Sequence, residues 1–154
     1  MKTTRNTAEA RQLCTFYLHG LYLGVDVTRV QEVIRYQAMT RVPLAAPEVR
    51  GLINLRGQIV TALELRTRLA LPPRPDTEKP MNVVIRTGNS TVSLLVDEIG
   101  DVVEVCEDAF ERVPETLPSA MRELFQGVYK LSPRLLLVLD PERAVSTRSD
   151  PNAS

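Results

Sequence analysis

The sequence predicts a mainly β protein: two small barrels packed together, with short helices between strands. Three observations predict this. The dominant hydrophobic period is two, as in Leu21, Leu23, Val25 and Val27, which alternate with Tyr22, Gly24, Asp26 and Thr28. The 154 residues include no Trp, three Phe and four Tyr, so the core must be built mainly from Val, Leu and Ile, a β-branched bias that favours strands. Finally, many short alternating runs recur at regular spacing around a single proline-rich break, a pattern of small barrels rather than of a parallel sheet.

Element by element, Cys14, Phe16 and Leu18 alternate as a strand, and His19-Gly20 is a hairpin turn into the strand at 21–27. Thr28 then caps a short helical turn, with Val30, Val33 and Ile34 at i, i+3 and i+4 spacing. After an irregular stretch bounded by Pro43 and Pro47, the apolar runs 51–55 and 58–60 flank Arg56-Gly57 as a second hairpin. Leu63, Leu65 and Leu69 suit a short helix before Pro72. Residues 72–80, with four prolines, form a linker, since proline interrupts both ladders and helices. Beyond it, Val83 and Ile85 precede a turn at Thr87-Gly88-Asn89-Ser90. Val92, Leu94 and Val96 alternate, and Ile99, Val102, Val103 and Val105 continue extended structure. Residues 107–124 are acidic and broken by Pro114 and Pro118. Residues 135–139 read as a buried strand, and Asp140-Pro141 opens a last helix with Asp as cap and Pro at its first position. Residues 1–11 and 147–154 are expected as disordered tails.

Charge excludes some functions. With 19 basic and 19 acidic residues the net charge is zero, which argues against general affinity for nucleic acid or anionic membrane. The charges are unevenly placed: residues 29–86 hold ten Arg/Lys and five Asp/Glu, while 97–115 hold eight Asp/Glu and one Arg. This reads either as two solvated faces or as complementary faces for head-to-tail assembly. No apolar run is long enough to span a membrane, so a soluble, cytoplasmic protein without membrane insertion is expected. Cys14 and Cys106 lie in no ligand spacing and read as free core thiols.

Nothing in the sequence points to catalysis, a metal or a cofactor. A single histidine, His19, excludes HExxH and multi-histidine sites, and no phosphate-binding or nucleophile motif occurs. The carboxylates between 97 and 111 lack calcium-loop spacing. Two charges do stand out. Arg56 sits in an apolar hairpin and Glu32 lies between Val30 and Val33, so the two are expected to pair across their elements, unless both simply face water.

Val30-Gln31-Glu32-Val33-Ile34-Arg35, Thr40-Arg41-Val42-Pro43, Ala46-Pro47 and the hairpin 51–60, in this order and spacing, resemble the CheW-like domain family. The likeness extends through 22–27, Leu95-Val96-Asp97-Glu98-Ile99 and 134–140, spanning about 12–146. It implies two five-stranded, SH3-like β-barrels with a groove between them, and a non-catalytic adaptor. That adaptor would bind a chemoreceptor cytoplasmic tip and the regulatory domain of a CheA-type histidine kinase, with ring assembly in receptor arrays. A coupler of a non-flagellar chemosensory pathway (twitching motility, surface sensing or cyclic-di-GMP output) is the alternative. By the same resemblance, Val30, Glu32, Val33, Ile99 and Val102 belong to the receptor-binding groove, and Gly51 and Arg56 to coupling or its structural support. Val33 and Val102 also suit plain core, and Gly51 a permissive backbone. Family members tend to read I-P-V-x-D-L where this chain has Val60-Thr61-Ala62-Leu63-Glu64-Leu65, so Thr61 and Glu64 depart from the pattern.

Overall fold

The computed structural model describes residues 10–88 and 90–146. Ten strands form two five-stranded antiparallel-rich sheets. The first half of the chain supplies β1 (Ala10–Leu18), β2 (Leu21–Asp26), β3 (Val30–Ile34), β4 (Val49–Leu55) and β5 (Gln58–Glu64). After the short helix α1 (Leu65–Arg68), the second half supplies β6 (Met81–Thr87), β7 (Ser90–Val96), β8 (Glu98–Cys106), β9 (Phe125–Leu131) and β10 (Arg134–Leu139). Two further short helices, α2 (Ser119–Arg122) and α3 (Pro141–Val145), flank β9 and β10.

The strands are exchanged between the halves. One sheet runs β8-β1-β2-β10-β9 and the other β3-β6-β7-β5-β4. Each thus joins a hairpin from one half to three strands from the other, and each contains one parallel pair, β2 with β10 and β7 with β5. The proline-rich linker therefore does not separate the sheets. It joins α1 to β6 beside the second sheet, while the chain crosses between sheets at Asp26, before a 3₁₀ turn at Val27–Arg29, and at Asp97.

Neither sheet closes into a full barrel by its strands. The gap is spanned in the same way in both: the chain leaving β3 forms a single bridge from Thr40 to Leu52 of β4, and the chain leaving β8 one from Glu111 to Val128 of β9. Each bridge carries a reciprocal pair of backbone hydrogen bonds of 2.8–2.9 Å. The residue before each bridge is glycine. A Cβ on Gly51 would stand 2.6 Å from the Thr40 carbonyl oxygen, and one on Gly127 the same distance from that of Glu111.

Three apolar cores result. Each sheet encloses a small one, around Leu13, Tyr22, Tyr129 and Leu136 in the first and around Ile53, Val60, Val84 and Leu95 in the second. A larger third core lies between the sheets and includes Phe16, Leu23, Leu63, Ile85, Leu94 and Leu137, with Leu65 and Leu69 from the α1 region and Ala144 from α3. Alternation along a strand consequently sorts residues between two cores rather than between core and water. Tyr22 and Gly24, which alternate with Leu23 and Val25, are buried as well.

Both expected hairpins form. His19-Gly20 and Arg56-Gly57 have positive φ at both central positions (50°, 81° and 51°, 91°), the mirror-image turn that matches strand twist. The Asn54 side chain accepts the Gly57 amide at 2.8 Å. The expected Asp140 cap of α3 is present, its carboxylate accepting the Glu142 and Arg143 amides. The helical turn expected at 28–34 is instead the 3₁₀ turn capped by Asp26, followed by strand β3, because Val30 and Val33 pair with Ile85 and Val83 of β6. Leu63 belongs to β5, and α1 starts two residues later. β9 escapes the period-two reading because Gly127 and Lys130 interrupt its apolar residues. Cys106 is exposed, not core. The tails expected at 1–9 and 147–154, and Asn89 of the expected turn, lie outside the described residues, while Ala10 and Arg11, expected in the tail, pair with β8 as the start of β1.

Candidate functional site

β3 and β8 are the outer strands of their respective sheets, so both leave one row of backbone donors and acceptors unpaired by strand neighbours. Cross-strand partners share a face, which fixes where each side chain points. Val30 and Val33 lie opposite Ile85 and Val83, and Ile99 and Val102 opposite Phe16 and Cys14. All four partners belong to the core between the sheets. The four apolar residues singled out in the sequence therefore lie on the outer strands of the two sheets, opposite residues of the shared core. Val30, Val33 and Ile99 pack against it and are partly buried. Val102 is 54% exposed, which excludes the plain-core reading for it.

Glu32 is different. It lies opposite Val84, whose side chain belongs to the small core of the second sheet, so it occupies the other face of β3 from Val30 and Val33. There it meets Arg56, whose guanidinium donates to the Glu32 carboxylate. The expected pair is present, but Arg56 is not buried in an apolar strand. As the first turn residue of the β4–β5 hairpin it is 72% exposed. Gly51 has a packing role: at its position in β4 the backbone of Thr40 comes too close for any side chain.

A group of charges unnoticed in the sequence forms the best-connected polar site. Glu64 ends β5 and caps α1, accepting the Arg66 amide at 3.2 Å. Arg74 of the linker reaches the same carboxylate at 2.6 Å and Asp97 at 3.0 Å. Arg66 grips Asp97 with two nitrogens at 3.0 and 2.6 Å and donates to the Pro72 carbonyl at 3.0 Å. The His19 amide, at the β1–β2 turn, completes the set on Asp97 at 2.8 Å. Side chains of Arg74 and Glu64 are only 5% and 3% exposed. Burial disfavours the charged Asp97 carboxylate, but donation from Arg66, the His19 amide and Arg74 outweighs this and holds its pKa below the usual carboxylate range. Asp26, at the other crossover, is lowered in the same way by Thr28 and Arg11 against its burial. The signal in the sequence was faint: charged residues at 64, 66 and 97 beside apolar runs, with partners far along the chain.

A surface pocket of about 690 Å³ opens elsewhere, on the β3–β4 loop, lined by residues between Tyr36 and Arg50. None of the expected groove residues lines it. Among the described residues no group of three or more His, Cys, Asp or Glu side chains is placed to hold a metal ion, and no helix is long and apolar enough to cross a membrane.

The family model of the CheW-like domain matches residues 12–149. The chain belongs to the CheW-like domain family. Curated relatives include the chemotaxis protein CheW of Bacillus subtilis, 31% identical over 150 residues and covering 96% of each chain, and that of Thermotoga maritima, 26% identical over 146 residues and covering 94% of each. In fold, the chain is similar to the crystal structure of the scaffolding protein TtCheW from Thermoanaerobacter tengcongensis, with a TM-score of 0.82, 19% identity and 97% of each chain covered. Two five-stranded sheets packed around a shared core are thus the CheW-like architecture in this chain. Its Glu64, which stands where the motif tends to have Asp, is the residue that caps α1 and binds Arg74.

Proposed function

We propose that this chain is the coupling scaffold of a chemosensory array, binding a chemoreceptor cytoplasmic tip and the regulatory domain of a CheA-type histidine kinase. The observation that supports the reading is that Val30 and Val33 on one outer strand and Ile99 on the other pack against the inter-sheet core, while Val102, on the same strand as Ile99, is exposed. Four aliphatic side chains on two edge strands suit the apolar stripe of an amphipathic helical hairpin. The Glu32–Arg56 pair on the opposite face of β3 holds the β4–β5 hairpin against that strand, and Gly51 lets the loop before β4 close on it. Receptor contact and hairpin support are thereby separate tasks of neighbouring residues.

The mechanism is binding alone, without metal or cofactor, on the cytoplasmic side of the membrane. A kinase regulatory domain docks at a sheet end away from the seam. A signal passes as a small change in the relative orientation of the bound partners. Contacts of this kind are individually weak, and repetition in a ring or array strengthens them.

Pull-down with a receptor-tip fragment, alongside circular dichroism, tests the seam. Val30→Asp and Ile99→Asp each place a carboxylate in an apolar contact, and each is expected to weaken receptor binding by about tenfold or more with the fold retained. Undiminished binding in both folded variants removes the seam as the receptor site.

A further inference from the structure

The two outer strands present apolar residues at a spacing that a regular strand cannot use. Val30 and Val33 are three residues apart, and so are Ile99 and Val102. Strict alternation would send the members of each pair to opposite faces. Yet Val30 and Val33 lie opposite Ile85 and Val83, and Ile99 and Val102 opposite Phe16 and Cys14, partners that all belong to one core. Each strand achieves this with one extra residue. On β3 the register slips between Val30 and Glu32, and on β8 the two steps from Phe16 to Cys14 are matched by three from Ile99 to Val102. Both are β-bulges, which re-aim the side chains beyond them.

The sequence at the two bulges follows one pattern. Val30-Gln31-Glu32-Val33 and Ile99-Gly100-Asp101-Val102 each place a carboxylate between two apolar residues, directly before the second. In an unbroken register Glu32 would share the face of Val30, and Asp101 would stand beside Ile99, opposite Cys14. The bulge puts a valine in each of these places instead. Glu32 thereby meets Arg56 on the other face, and Asp101 is exposed.

Two residues build the bulge on β8. An extra residue interrupts the ladder, and its backbone groups need other partners. Thr15 lies between Leu13 and Tyr17 of the first sheet's small core, is fully buried, and donates its hydroxyl to the Asp101 carbonyl at 2.5 Å. A valine there would have the same shape and no donor. Gly100 lets β8 come this close, since a Cβ on it would stand 2.5 Å from the Thr15 hydroxyl oxygen and 3.3 Å from the Tyr17 ring.

We propose that Thr15 and Gly100 are positioning residues for the receptor contact: they hold the β8 bulge, and the bulge presents Val102 rather than Asp101 beside Ile99 to an amphipathic helix. Both act through Ile99 and Val102, without touching the receptor themselves. The proposal rests on the coupling reading and adds to it the device that sets which side chains of β8 the receptor meets.

Titration of the full chain with a receptor-tip fragment and, separately, with a CheA-type regulatory domain tests it. Thr15→Val and Gly100→Ala are each expected to weaken receptor binding about tenfold or more, because a carboxylate enters the apolar contact. Binding of the kinase domain is expected to stay as in wild type, a difference that a general loss of structure would not make. Thr15→Ser keeps the hydroxyl and is expected to bind the receptor like wild type. Nuclear Overhauser contacts between the Val102 methyls and Cys14 are expected in wild type and Thr15→Ser and lost in Thr15→Val. The proposal is overturned if these contacts persist in Thr15→Val, if folded Thr15→Val and Gly100→Ala lose both partners equally, or if Thr15→Ser loses the receptor as Thr15→Val does. Should Thr15→Val fail to fold by circular dichroism, Gly100→Ala decides alone. Wild type that ignores the receptor fragment removes the coupling reading and this role together. Wild type that binds it, beside folded Thr15→Val and Gly100→Ala that bind as tightly, removes this role alone.

Discussion

Arg56 shows how a residue's chemistry depends on its place in a turn. A charged side chain within Leu52-Ile53-Asn54-Leu55 looks buried by its neighbours, yet positive φ at Arg56 and Gly57 makes this pair the turn itself and sends the guanidinium into water. Its contact with Glu32 is thereby an exposed ion pair, screened by solvent and salt. A double-mutant cycle of Glu32→Ala and Arg56→Ala is expected to show coupling of about 0.2–1 kcal/mol, the range of exposed pairs. Strict additivity in urea denaturation would show that the two groups do not interact in solution. Gly51 is the contrasting case, since its requirement comes from the carbonyl of Thr40, eleven positions away in sequence.

Among elements, the proline-rich linker is the one whose character the structure changes most. Rather than a free tether, it is tied down at Arg74, which lies between Glu64 of β5 and Asp97 of the β7–β8 crossover. Removing one partner from a buried ion cluster leaves uncompensated charge, so Arg74→Ala is expected to destabilise the fold by about 3 kcal/mol or more and to expose the linker to proteolysis. The cluster also gives stability a pH dependence. Asp97 and Asp26 have folded-state pKa values below those of the unfolded chain. The stability they contribute is full above the unfolded carboxylate pKa, about 4, and is lost as pH falls through the lower folded values. Thermal melts from pH 7 down to pH 3 should therefore show a declining midpoint in the native chain. In Asp97→Asn the midpoint should start lower at pH 7 and decline less. An equal decline in both would mean that Asp97 is not held below its ordinary value.

For the molecule as a whole, the exchange of strands between halves decides the folding unit. The first sheet needs β1 and β2 together with β8, β9 and β10, and the second needs β3, β4 and β5 together with β6 and β7. Neither half of the chain contains a full sheet, and the largest core draws on both. Cutting at the linker is thus expected to give two fragments that are unfolded alone and regain β structure when mixed. Far-ultraviolet circular dichroism of residues 1–76, of 77–154 and of their mixture checks this. A fragment with native-like strand content by itself would show that one half folds independently. The intact chain should unfold in one cooperative transition, because no sheet can open without disturbing the other.

Local pattern was enough for much of this protein. Period-two runs located most of the strands, X-Gly pairs located two turns, Asp140-Pro141 located a cap, and the spaced motifs of 30–60 located the family. These features depend on residues within a few positions of one another, so composition and order determine them. What the sequence could not supply was everything settled by partners distant along the chain. Val30 to Ile34 are strand rather than helix because β6 lies beside them. Tyr22 and Gly24 are buried because each sheet encloses a core of its own. The linker is pinned because Glu64 and Asp97 meet at Arg74. Apolar alternation says that a strand has two unlike faces; only tertiary packing decides whether the second face meets water or another core.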